Sequence, residues 1–200
     1  MWTLFVKGGP VMWPLLLTSV IAFTVVFERI LFLVKESKQR DEKQVEWFLT
    51  QVEQGQMEQA LEAGKTSADF VARTLVYGLT HRKQSLSHAL MQAANKELKR
   101  FERGLAILDT VITVAPLLGL FGTVTGMIHA FGLLGNAGLD APTAITGGIA
   151  EALIATAFGL VIAIVALIPF NFLNTKVDQA RHDLEDAATQ LELLVLKQGQ

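Results

Sequence analysis

The apolar residues of this chain gather into three long blocks, at residues 11–34, 107–134 and 149–173. Each matches or exceeds the roughly 20 residues that carry an α-helix across about 30 Å of hydrocarbon. Between and after the blocks the pattern changes to apolar positions at steps of three and four among charges. Val45, Phe48, Leu49 and Val52 predict an amphipathic helix stopping at Gly55. Met57, Ala60 and Leu61 predict a second, stopping at Gly64, and Phe70, Val71, Leu75 and Leu79 predict a third over residues 68–80. A fourth, capped by Ser85 or Ser87, passes through Leu90, Ala94, Leu98 and Phe101 and is expected to run unbroken into the second block. That would make one helix of roughly 45 residues and about 70 Å, kinked at Pro116. Beyond the third block, Val177, Ala180, Leu184, Ala187, Leu191 and Leu194 form a seam at alternating three- and four-residue steps. The third block is therefore expected to continue as a helix, bent at Pro169.

The fold expected is an all-α membrane protein with three transmembrane helices and long cytoplasmic helical extensions. Its orientation follows from charge. Of the 17 Lys and Arg residues, 13 lie between Arg29 and Arg103, none between Gly135 and Gly148, and the tail adds Lys176, Arg181 and Lys197. Basic residues stay on the cytoplasmic side. The chain then divides into an outer N-terminal segment (1–10), a first span (11–34), a cytoplasmic helical domain (35–106), a second span (107–134), an outer connection (135–148), a third span (149–173) and a cytoplasmic C-terminal helix (174–200). Trp2 and Trp13 suit an interfacial belt, the first ten residues suit a small amphipathic helix, and Pro14 suits a first helical turn. The first block reads as a retained helix and not a cleaved signal: only Lys7 precedes it, its apolar run is long, and no small-residue cleavage site comes before Glu28.

Composition removes several classes of function. A net charge of −2 and no basic tail argue against nucleic acid, and the absence of cysteine excludes disulfides and thiolate chemistry. His81, His88, His129 and His182 have no metal-ligand spacing, and GLFGTVTG lacks the Lys-Ser/Thr ending of a phosphate loop. No nucleophile is placed with a base. The reading is of a protein that is not an enzyme and needs no cofactor or metal.

Chemistry is concentrated inside the apolar blocks. Gly119, Gly122, Thr123 and Gly126 share one arc of the second span, and Gly148, Ala152, Ala155, Gly159, Ala163 and Ala166 form a stripe on the third with Thr156 at its edge. Small residues let helix backbones approach where lipid supplies no hydrophobic drive, so ordinary packing within a subunit accounts for the glycines and alanines. Thr123 and Thr156 both fall roughly 12 to 15 Å below the outer face at 1.5 Å per residue. Two readings of them stay open: one layer of a polar ring in an assembly, or hydroxyls satisfied by a carbonyl one turn back. Glu151 is the only carboxylate well inside the blocks, a functional position by default, with His129 at comparable depth as a possible partner. Glu28 and Arg29 read either as side chains reaching to headgroups or as a salt bridge locking the helix to the next subunit or to the cytoplasmic region, and Asp109 reads as a boundary residue.

GGPVMW before the first span, ERILFL at its end, APLLGLFGTVTGM and GIAEALIATAFGL together resemble the ExbB/TolQ/MotA proton-channel family, and the length and three spans resemble its ExbB/TolQ branch. The resemblance covers nearly the whole chain. It implies a homopentamer in the bacterial inner membrane, N-terminus periplasmic and C-terminus cytoplasmic, surrounding single-span helices of an ExbD- or TolR-like partner that supplies a proton-accepting aspartate. Proton flow would then energise a TonB- or TolA-like protein. It also implies that Thr123 and Thr156 are the pore threonines and Glu151 the family glutamate; no family role transfers to His129. The alternatives are a membrane scaffold without an ion path and a sodium-driven motor subunit.

Overall fold

The computed structural model describes residues 2–134 and 141–198, and among these all regular structure is helical. In order, the elements are α1 (Trp2–Lys7), α2 (Met12–Gln39), α3 (Glu42–Glu53), α4 (Met57–Lys65), α5 (Phe70–Thr80), α6 (Arg82–Glu102), α7 (Leu105–Leu134) and α8 (Ala141–Gln198). Three helical stretches, in α2, α7 and α8, are long and apolar enough to cross a membrane. The chain forms two compact units. The first comprises residues 1–28 and 104–172, and the second comprises residues 29–103 and 173–200.

In the first unit, α1 and the start of α2 pack on α7 and α8. Val11, Met12 and Leu15 are buried with Ala115 and Ala163, flanked by Phe5, Leu118, Phe158 and Ile162. The Phe5 and Trp13 rings meet edge to face at 5.4 Å. Leu108, Val111, Ala130 and Ala155 are buried as well, while many large apolar side chains, among them Phe23, Leu117, Ile128 and Ile168, are exposed, as on helices that face lipid or a neighbouring subunit. Pro116 and Pro169 lie inside α7 and α8, which continue through them.

In the second unit, α3 to α6 form a helical cluster that buries Phe48, Val52, Leu75, Leu79 and Leu90, and α8 adds Val177, Ala180, Leu184, Ala187 and Leu191 from the predicted seam. Asp69 organises its polar framework. It caps α5 by accepting from Val71 N at 2.7 Å and Ala72 N at 3.2 Å, and it also accepts from Asp41 N at 2.7 Å. Arg40 pairs with Asp69 at 2.7 Å and reaches Asp183 of α8 at 3.4 Å. A second cluster joins Glu36, Arg73, Glu97 and Arg100. Arg73 bonds Glu36 at 3.1 Å and Glu97 at 2.9 Å, and Arg100 bonds Glu36 at 3.3 Å and also pairs with Glu97. Burial alone pushes the Glu97 carboxyl up, but hydrogen bonds and charge from Arg73 and Arg100 outweigh it and hold Glu97 below the usual carboxylate range.

Several expectations need correction. The long helix into the second span is broken: Arg103 is non-helical and Gly104 has φ +82°, a left-handed conformation that glycine adopts without the Cβ clash. The helix expected to stop at Gly64 does end there to within a residue, at Lys65, and Gly64 is packed, so that a Cβ would meet Val76 and Phe48. Of the two candidate caps, Ser85 fills the role: its backbone is extended (φ −170°, ψ 111°) and its Oγ accepts from His88 N at 3.3 Å. Residues 141–148, part of the expected outer connection, belong to α8; the rest of that connection lies outside the described residues.

The Asp69 framework separates cap from charge. Asp69→Asn retains a capping side chain and loses the ion pair, whereas Asp69→Ala loses both and should cost about 3–5 kcal/mol, the range for breaking a buried pair. Denaturant unfolding should rank stability as native, then Asn, then Ala. Because the folded-state pKa of Glu97 is depressed, its stabilisation is present above the unfolded value and lost as pH falls through the folded one. Melting temperature should therefore decline below about pH 4.3, the unperturbed glutamate value. Glu97→Gln should melt lower at neutral pH and show a shallower decline in acid.

Candidate functional site

The close approach of α7 and α8 builds the site. A Cβ placed at Gly122 would lie 2.5 Å from Ala155 Cβ, at Gly126 3.0 Å from Ala152 Cβ, and at Gly148 2.5 Å from Ala130 Cβ. At Gly159 it would lie 2.5 Å from the Ala115 carbonyl oxygen, and at Gly119 2.9 Å from Thr156 Cα. Residues with no side chain, or a single methyl, therefore line the contact, which is how membrane helices gain dispersion contact without hydrophobic drive. Ala152, Ala155 and Ala163 are buried in it.

The seam places both threonines. The Thr123 hydroxyl donates to Leu120 O at 2.6 Å within α7, and the Thr156 hydroxyl donates across to Gly119 O at 2.9 Å. The two hydroxyls thus end on consecutive carbonyls of one turn. Each keeps lone pairs that can accept a further hydrogen bond. Thr123 does what a membrane threonine does by default and also lines an open groove with Val124, Met127, Ile128 and Phe131. Thr156 is half-buried between the helices of a single protomer.

The register of α7 against α8 sets the heights of these groups. Gly122 opposes Ala155 and Gly126 opposes Ala152, so the antiparallel register puts Thr123 at a level between Glu151 and Thr156. Thr156 stands opposite Gly119, one turn back from Thr123. The two threonine hydroxyls, ending on the Leu120 and Gly119 carbonyls, lie within one turn of each other, and Glu151 stands about 7.5 Å along α8 from Thr156 at 1.5 Å per residue. No hydrogen bond links Glu151 to either threonine.

Glu151 is half-buried, and its carboxylate occupies the space beside Gly9: a Cβ on Gly9 would fall 1.8 Å from Oε1. His129 is exposed on α7 and is not brought to Glu151, so the pairing the sequence allows is absent. Asp109 is exposed. Arg29 does not extend to headgroups. It is 2% exposed, lies 4.7 Å from the centre of the Phe32 ring, and its Nη1 donates to Arg100 O at 2.8 Å. Arg100 is in the last turn of α6, where carbonyls lack helical partners and a cation is favoured, so Arg29 caps that end. Glu28 is exposed at the end of the first unit's opening stretch. Among the described residues no group of three or more His, Asp or Glu side chains comes together to hold a metal ion.

Sequence reasoning missed the Gly8–Gly9 contact with α8. Its signal was present in the GGP breaker ahead of the first span.

This is an all-helical, multi-pass membrane protein whose second and third spans meet on a small-residue seam carrying hydroxyls, with a carboxylate at its flank. Residues 62–186 match the profile of the MotA/TolQ/ExbB proton channel family. The putative biopolymer transport protein ExbB-like 1 of Synechocystis sp. is 38% identical over 202 residues, covering 95% of this chain and 77% of that one. The biopolymer transport protein ExbB of Neisseria gonorrhoeae is 41% identical over 101 residues, 50% of this chain and 46% of that protein. The Tol-Pal system protein TolQ of Haemophilus influenzae is 43% identical over 95 residues, 48% of this chain and 42% of that one. In these last two matches less than half of the relative is spanned. The chain belongs to the MotA/TolQ/ExbB proton channel family.

The seam makes a sharp contrast between glycines. Gly159→Ala drives a methyl toward a backbone oxygen and should destabilise by about 1–3 kcal/mol, the cost of overpacking. Gly132 has nothing within 4 Å of its would-be Cβ. Gly132→Ala should be neutral or stabilising by up to about 1 kcal/mol. Unfolding in mixed detergent micelles would read both.

Proposed function

We propose that this chain is the channel-forming subunit of a proton-driven motor in the bacterial inner membrane. Five copies surround the single-span helices of an ExbD- or TolR-like partner, and proton flow between them energises a TonB- or TolA-like protein. The N-terminus and the α7–α8 connection face the periplasm; the helices of residues 35–106 and the C-terminal part of α8 face the cytoplasm. Membership of the family supports the class, and the names of the ExbB and TolQ relatives support the transport setting.

The observation that carries the reading is the gathering of Thr123, Thr156 and Glu151 along the seam between two largely apolar spans. Hydroxyls satisfied as donors remain acceptors and can order water along a path. They do not titrate near neutral pH, so they carry a proton only in relay with an acid, and the partner helix supplies it. Thr123 opens onto an apolar groove of α7, a surface on which such a helix can pack.

Reconstitution of the full complex in vesicles, with a pH-sensitive dye inside, tests this. Thr123→Val and Thr156→Val should each slow proton entry by about tenfold, the equivalent of one hydrogen bond of about 1.4 kcal/mol, while the oligomer stays intact. Thr156→Ser, which keeps the hydroxyl, should retain flux. Undiminished flux in both valine variants would leave a scaffold, and flux that requires sodium would leave a sodium-driven motor. Because the chain has no cysteine, single replacements report orientation directly. A thiol reagent that cannot cross membranes should label Lys7→Cys and spare Lys197→Cys in intact spheroplasts.

A further inference from the structure

The first unit contains one contact that its packing alone does not require. The link between α1 and α2 is Gly8–Gly9–Pro10, and it lies against the face of α8 that carries Glu151 and Ile154. These two are three residues apart and so share a helix face. A Cβ on Gly8 would come 3.1 Å from Ile154 Cγ2, and one on Gly9 would overlap the Glu151 carboxylate, at 1.8 Å from Oε1 and 2.6 Å from Cδ. The turn is fixed at both ends. Gly8 N donates to Leu4 O at 3.0 Å to close α1, and Met12 N donates to Gly9 O at 3.2 Å to open α2. Just beyond it, Val11, Met12 and Leu15 are anchored in the core. Gly9 has φ +73°, so both its backbone and the space beside it call for glycine.

We infer that Gly9 is a positioning residue for Glu151: the missing side chain makes the recess in which the Glu151 carboxylate is held. The colliding atoms are the far end of a flexible side chain, so a Cβ at Gly9 is relieved by Glu151 rotating out from under the turn and not by unpacking the helices. Fold and assembly then survive, and the place of the carboxylate is what changes. Its consequence for proton flow rests on the proposed role of Glu151 in the pathway; the positional claim itself does not.

The test uses the full chain in detergent, treated with a water-soluble carbodiimide and an amine, with modification at residue 151 followed by mass spectrometry. Gly9→Asn is the primary variant, because asparagine tolerates positive φ while adding the colliding carbon; Gly9→Ala adds that carbon alone. Both should raise the rate of Glu151 modification severalfold. Gly55→Asn is the control, since Gly55 has φ +78° with nothing within 4 Å of its would-be Cβ, and it should leave the rate unchanged. In the vesicle assay the Gly9 variants should shift the pH at which proton flux is half-maximal. Glu151→Asp, which withdraws the carboxylate by one methylene and leaves the turn intact, should shift it too and keeps the test open if the Gly9 variants fail to assemble. Unchanged modification in both Gly9 variants overturns the positioning role, as does an unshifted flux profile in Glu151→Asp when Glu151→Gln has lost flux. Full flux in Glu151→Gln overturns the pathway reading instead, whatever the modification rates show.

Discussion

The distance between the backbones of α7 and α8 is the constraint on which the rest of the first unit depends. With glycine at 119, 122, 126, 148 and 159, carbonyls and Cα atoms of one helix lie where side chains of the other would ordinarily be. That proximity lets the Thr156 hydroxyl reach the Gly119 carbonyl, a bond between helices that a wider spacing would not permit. The same proximity fixes the register, and with it the order Glu151, Thr123, Thr156. Packing and polar chemistry here are one arrangement seen from two sides: the stripe that holds the spans together also sets the heights of the groups within them.

The second unit is held by a different kind of interaction. Its helices are short and amphipathic, and an isolated helix of their length is marginal in water. Buried apolar residues bring them together, but Asp69 ties the start of α3, the start of α5 and Arg40 to a single carboxylate. Arg73 and Arg100 likewise share Glu36 and Glu97. The carboxylates Asp69, Glu36 and Glu97 are costly to bury singly and tolerable in these sets, because each accepts from more than one partner.

Much of this was legible in the sequence because apolar periodicity reports burial directly. The three spans, the helices around Phe48 and Leu75 and the α8 seam through Leu184 and Leu191 all follow from spacing. What spacing does not report is where a backbone turns or which partner a polar group takes. Gly104 breaks a helix that periodicity would continue. For Arg29 the sequence leaves both headgroups and the cytoplasmic helices open, and it is the Arg100 carbonyl at the end of α6, far away in sequence, that draws it inward. Spacing marks the threonines as polar positions on largely apolar helices, but which carbonyl each takes depends on the register of two antiparallel helices. A one-dimensional depth count measured from uncertain span ends resolves that only to within a turn.

The second unit is assembled from residues 29–103 together with residues 173–200, and everything that belongs to the first unit's later helices is encoded between them. A ribosome therefore releases α3 to α6 long before α8 exists to cover them. Leu184 and Leu191, nearly inaccessible once folded, are synthesised only after both later spans. The early helices must wait with one apolar flank bare while both later spans are delivered to the bilayer. Biogenesis thus has a built-in order, in which lipid insertion of α7 and α8 comes before the water-facing portion can finish folding.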